Sequence, residues 1–382
     1  MSPLQRVLLA PAVLAASLVF CDPSSASPYF QTNLVSDIPG LAQLTDPGLH
    51  NPWGMSFSAT SPFWVSDQGT NTSTLYRVVN GVVKQLGLVV SIPTTGGGPQ
   101  GPTGQVNNNT AAFLVNGAPA NFIFANLNGT ISAWNGSAGT TAQIKVPASG
   151  AVYTGLAIAT AAAGPRLYAA NGVTGNIDVF DGSFAAASLA AGAFAKPAGV
   201  PAGLAPFNVQ NIGGRIYVTY APPGRAAQIA AAEGQGAVAI FDTNGTLIQT
   251  LVTGSKLASP WGIALAPSSG FGGFSGDLLI GNFSFAVSEI NAFDPITGAY
   301  LGTISDQGGH ALINSGLWGL AFGNGTTGDA HTLYFTAGIN GEADGLFASI
   351  TAIPEPETLG LLALGLAAMA QRLSRRRRRS GA

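Results

Sequence analysis

Six segments of this chain begin alike at nearly even intervals, and that spacing constrains the fold more than any other feature. They read Asn51-Pro52-Trp53-Gly54-Met55, Gly101-Pro102-Thr103-Gly104-Gln105, Val152-Tyr153-Thr154-Gly155-Leu156, Ala205-Pro206-Phe207-Asn208-Val209, Ser259-Pro260-Trp261-Gly262-Ile263 and Gly316-Leu317-Trp318-Gly319-Leu320. Aligned on the fourth residue, the spacings are 50, 51, 53, 54 and 57. Repeats of this length point to a ring or stacked array built from one supersecondary unit.

Each unit then carries an aromatic and β-branched run closed by a turn residue, as in Phe63 to Asp67, Phe122 to Asn126, Leu167 to Asn171, Ile216 to Tyr220, Leu278 to Asn282 and Leu333 to Ala337. Such runs read as strands. A third strand follows in each unit, and Asn80-Gly81, Asp181-Gly182 and Asn244-Gly245 are hairpin corners leading to a fourth. Four strands per unit, six times over, predict an all-β chain folded as a six-bladed β-propeller of four-stranded blades. The sixth unit runs out after three strands. Residues 30 to 36 at the other end resemble the outer strand Leu247 to Val252 of the fourth unit, so they are expected to close the ring. Ala185 to Pro197 and Ala226 to Gly236 read as loop insertions.

Composition agrees. The 382 residues include 52 Gly and 24 Pro, which disfavours a helical bundle, while 46% hydrophobic residues disfavour disorder. Only 8% are charged, against about 25% in an ordinary soluble domain.

Both ends read as addresses. Arg6, the apolar run Val7 to Phe20 and the small residues Ser24, Ser25 and Ala26 have the layout of a secretory signal peptide over residues 1–26. The one cysteine, Cys21, follows Phe20, which suits lipidation poorly, and it leaves with the signal. Residues 351–382 hold Pro354-Glu355-Pro356, an uncharged run from Leu359 to Ala370, then Arg372 and Arg375, Arg376, Arg377, Arg378 and Arg379. That run makes a short hydrophobic helix, marginal as a transmembrane span, with its arginines held cytoplasmic. Nucleic acid is not an expected partner of an exported chain.

The order of these three elements resembles the PEP-CTERM sorting signal of Gram-negative bacteria. The resemblance implies Sec-dependent export, transient inner-membrane anchoring, recognition by an exosortase-type protease, and delivery to the cell surface or beyond. The body, residues 27–350, resembles a six-bladed propeller family related to NHL repeats and found with such tails. The resemblance rests on Asn51-Pro52-Trp53-Gly54, the Trp-Gly pairs at 261 and 318, and Leu333 to Gly338 followed by Gly341-Glu342-Ala343-Asp344-Gly345-Leu346-Phe347.

On a propeller the last residues of the second strands form one ring: Asp67, Asn126, Asn171, Tyr220, Asn282 and Ala337. This ring is a candidate ligand or Ca²⁺ site, since one carboxylate and three amides offer hard oxygens. Turn-bonding by the same side chains is the competing expectation. Trp53, Trp261 and Trp318 are expected to pack between blades. No nucleophile elbow, paired metal-binding histidines or phosphate loop occurs, and His50, His310 and His331 are scattered. No catalytic residue is assigned. The expectation is a surface-sorted, non-enzymatic binding or scaffold propeller, associated with extracellular matrix, an exopolysaccharide or a surface protein. The alternatives are a calcium-dependent hydrolase or lactonase-like propeller and a structural coat.

Overall fold

The computed structural model describes residues 27–354. The segment expected to be a signal peptide, the hydrophobic run, Glu355, Pro356 and the arginines lie outside them. Six antiparallel sheets stand around an axis, with innermost strands Pro52–Ser56, Pro102–Asn107, Tyr153–Ala161, Ala205–Ile212, Pro260–Leu265 and Leu317–Phe322 in blades one to six. The ring closes as expected. Strand Tyr29–Ser36 pairs antiparallel with Leu346–Ala352, placing Tyr29 opposite Ala352 and Ser36 opposite Leu346. Tyr29 anchors this seam: its hydroxyl donates to the Phe271 carbonyl at 2.9 Å, and its ring stacks on Phe274.

The aligned glycines of the repeat are the innermost contacts between neighbouring blades. A Cβ added at Gly54 would stand 2.6 Å from the Thr103 carbonyl oxygen, at Gly104 2.2 Å from the Leu156 nitrogen, and at Gly155 2.1 Å from Asn208 Oδ1. At Gly262 it would stand 2.3 Å from the Trp318 carbonyl oxygen and at Gly319 2.9 Å from that of Trp53. Blade four alone carries a side chain there, and Asn208 Nδ2 donates to the Trp261 carbonyl at 2.8 Å. The repeated residue is therefore whatever lets six strands converge.

Successive strand residues point to opposite faces, and both faces are buried. Phe63 packs on Tyr334 and Phe347 of blade six, while its neighbour Trp64 packs on Phe122 and Phe124 of blade two. A sheet covered on both faces leaves few positions for charge, which accounts for the low charge density.

One expectation is corrected. Blade three has three strands, Tyr153–Ala161, Gly164–Asn171 and Asn176–Asp181, rather than four. The alanine-rich insertion lies where its outer strand would be. Of that pairing a single Phe180–Ala186 bridge remains, with the Ala187 amide bonding to the Val179 carbonyl and the Asp181 amide to the Ala185 carbonyl, each at 2.8 Å. Alanine and glycine have weak strand propensity, so the segment stays irregular.

Candidate functional site

Trp53, Trp261 and Trp318 lie near the beginnings of three innermost strands, and their indoles meet across the axis rather than between adjacent blades. Trp53 and Trp318 stack with ring centres 3.5 Å apart, and Trp261 stands edge-on to Trp318 at 5.5 Å. Phe207 of blade four and Phe283 of blade five complete the plug. Two indole N–H groups are satisfied across the ring: Trp261 Nε1 donates to the Thr154 carbonyl at 2.8 Å and Trp318 Nε1 to Asn51 Oδ1 at 3.1 Å. Trp53 Nε1 is buried without a hydrogen-bond partner among the described residues.

Over the plug lies Arg225, from the short helix Arg225–Ile229 in blade four. Its guanidinium carbon is 3.9 Å from the Phe283 ring centre and 4.9 Å from that of Trp318. Arg225 Nε donates to Glu342 Oε2 at 2.8 Å, and Nη2 forms an ion pair with Oε1. Burial lowers the guanidinium pKa from its ordinary value, opposed by the bond to Glu342 and the charge of that carboxylate. Asn51 Nδ2 donates to Glu342 Oε1 at 3.0 Å and Gln68 Oε1 at 2.7 Å, joining blades one, four and six. Asn51, Asn340 and Glu342 all have positive φ, at 43°, 53° and 71°. Backbone strain of this kind collects at functional sites.

Above this network opens a cavity of about 420 Å³, within the range of small-molecule sites. Its polar lining includes Asn51, Gln68, Arg225 and Glu342; Leu127, Val152 and Val173 supply apolar wall. The lining comes from the starts of innermost strands and the turns after second strands, so the cavity occupies the face expected to hold the ring residues.

The ring residues themselves bond locally. Asn126 Oδ1 accepts from the Gly101 amide at 3.2 Å, Asn171 Oδ1 from those of Val152 and Val173, and Asn282 Oδ1 from that of Ala258 at 2.9 Å. Each ties the end of a second strand to the chain leading into an innermost one. Asp67 is fully enclosed and accepts from the Thr74 amide at 2.9 Å, and burial raises its carboxyl pKa well above the ordinary value. Tyr220 is buried, and Ala337 is core. With the three amide oxygens committed to backbone N–H groups, this set does not fit a calcium site. Among the described residues no three His, Cys, Asp or Glu side chains gather to hold a metal.

The histidines stand apart from the cavity lining. His50 pairs with Asp37, His310 with Asp306, and the His331 amide bonds to Asp329. Arg225 and Glu342 escaped sequence reasoning because one stands immediately before the Ala226 to Gly236 insertion and the other in the closing turn. The signal for Glu342 was present in Gly341 to Phe347, the most specific stretch of the body.

Residues 352–379 match the PEP-CTERM protein-sorting motif. An uncharacterised protein of Acanthamoeba polyphaga mimivirus is 31% identical over 332 residues, spanning 83% of this chain and 78% of that protein. A second from the same virus is 28% identical over 332 residues, spanning 83% and 84%. Among solved structures, one described as a glucose dehydrogenase has a TM-score of 0.50 at 12% identity, covering 85% of this chain and 100% of that one. The last likeness concerns the fold alone. The protein is a six-bladed β-propeller carrying a sorting motif that implies export, exosortase processing and surface sorting. It belongs to the same family as the first of these mimivirus proteins. Among the described residues no helix is long and apolar enough to cross a membrane.

Proposed function

We propose that this protein is a non-enzymatic binding module of the cell surface, whose channel mouth holds a glycosyl unit of an extracellular polysaccharide. The observation that carries this reading is the cavity above the tryptophan plug, where side chains from several blades converge on one space. Amides, a guanidinium and a carboxylate beside aliphatic wall suit a ligand with many hydroxyl groups and a compact carbon skeleton. The one carboxylate lining the cavity, Glu342, is held by Arg225 and Asn51. Such a carboxylate is engaged in binding geometry rather than poised as a base. Surface sorting would bring the mouth to the matrix.

Titration of the surface-extracted protein with neutral and acidic oligosaccharides from its own matrix, followed by calorimetry, tests the proposal. Saturable heat that disappears when Gln68→Ala and Asn51→Ala are combined supports it. No heat with any of them overturns it.

A further inference from the structure

Two side chains lining the cavity hold polar atoms that the fold leaves unpaired. Trp53 is 2% exposed and its Nε1 has no partner; Arg225 Nη1 is likewise buried and unpartnered among the described residues. Their groups are near one another, with the guanidinium carbon 5.3 Å from the Trp53 ring centre. Both atoms are donors. The other polar groups around them are paired: Trp318 Nε1 is bonded to Asn51, Asn51 Nδ2 to Gln68 and Glu342, and Glu342 to Arg225. A buried donor without an acceptor is costly and rare in native proteins. Neither donor finds an acceptor among the described residues.

Charge gives the acceptor a sign. Arg225 lies over Phe283 and Trp318, and Glu342 occupies only its Nε and Nη2 side. A guanidinium presents two such edges and accommodates a carboxylate on each. Arg225 lines the cavity, and 33% of its side chain is exposed.

We propose that the mouth selects acidic sugars, seating a uronate carboxylate between Arg225 Nη1 and Trp53 Nε1. This rests on the polysaccharide reading above and names the chemical class it would take. The carboxylate accepts both hydrogen bonds while the sugar ring lies against the aliphatic wall.

The test uses calorimetry on the surface-extracted protein with oligogalacturonate, its methyl ester and a neutral oligogalactoside. Oligogalacturonate is expected to bind at least about tenfold more tightly than the other two, the margin of a charge-assisted pair. Trp53→Phe removes the N–H and keeps an aromatic ring; it is expected to shrink the acid-over-ester affinity ratio severalfold. Equal affinity for acid and ester in the wild-type protein overturns acid selection while sparing the polysaccharide reading. Absence of binding to all three overturns both. The acid–ester comparison stands even if Trp53→Phe does not fold.

Discussion

Asp67 stands where blades two, three and five carry asparagine, and the difference has a cost. The amides of Asn126, Asn171 and Asn282 bond to the chain leading into their innermost strands with no charge to bury. Asp67 makes a comparable local bond to the Thr74 amide, yet Oδ1 has no partner and burial dominates its titration. A carboxyl whose folded pKa is raised binds more protons folded than unfolded. Its contribution therefore falls as pH rises from about 3.9, the unfolded value, through the raised folded one. Asp67→Asn should remove this slope, so that the variant gains in melting temperature relative to wild type as pH is raised from 4 to 8. Parallel melting curves across that range would contradict it. Arg225→Ala should lower stability by about 2 kcal/mol in urea unfolding, less than for a fully buried pair because part of the side chain is exposed. The ring residues were legible as a set because strand ends repeat. Turn bonding was one of two readings of these residues, since sequence shows that six side chains share a level but not whether they face the axis or their own turns. Arg225 and Glu342, 117 positions apart, belong to no repeat.

Among the elements, the innermost strands were the most legible because contact between neighbouring blades demands a residue without a side chain at one level. Gly155→Ala would press a methyl into Asn208, whose Cα is only 2.8 Å from the added atom. Backbone cannot move aside cheaply, so a loss of about 3 kcal/mol or more is expected. Gly87→Ala, with nothing within 4 Å, should be near neutral and serves as the control in the same unfolding series. The closing strand was legible from pattern and from the missing partner of the sixth unit. Removing residues 27–36 would strip Leu346–Ala352 of one of its two hydrogen-bonded neighbours and empty the pocket between Phe271 and Phe274 filled by Tyr29. The deletion variant should melt far below wild type; an unchanged melting temperature would show that the ring does not depend on the seam. The outer edge of blade three was illegible for the opposite reason. An outer strand has one neighbour and makes weaker demands on sequence, so an alanine-rich loop replaces it without disturbing the repeat.

For the whole molecule, charge separates what is sorted from what does the sorting. The chain carries 15 basic and 17 acidic residues, but residues 27–353 hold 8 basic and 14 acidic ones, so the body is near −6 where the full chain is −2. Seven basic residues lie in the two end segments, six of them in the tail. The sorting motif implies that the basic tail is separated from the body on the way to the surface. Ile353 gives the cut a fixed point on the folded side: its amide bonds to the Pro28 carbonyl at 2.8 Å, so the last blade is complete just before Pro354. Cleavage beyond that bond leaves the sixth blade intact, whereas cleavage within Leu346–Ala352 would remove part of its third strand. Intact-mass measurement of surface-extracted protein should thus give a chain beginning near residue 27 and ending at or beyond Ile353, without the arginines. It should migrate as an acidic species. A mass that includes Arg375 to Arg379 would show that the protein reaches the surface unprocessed and that sorting proceeds without removal of its basic tail.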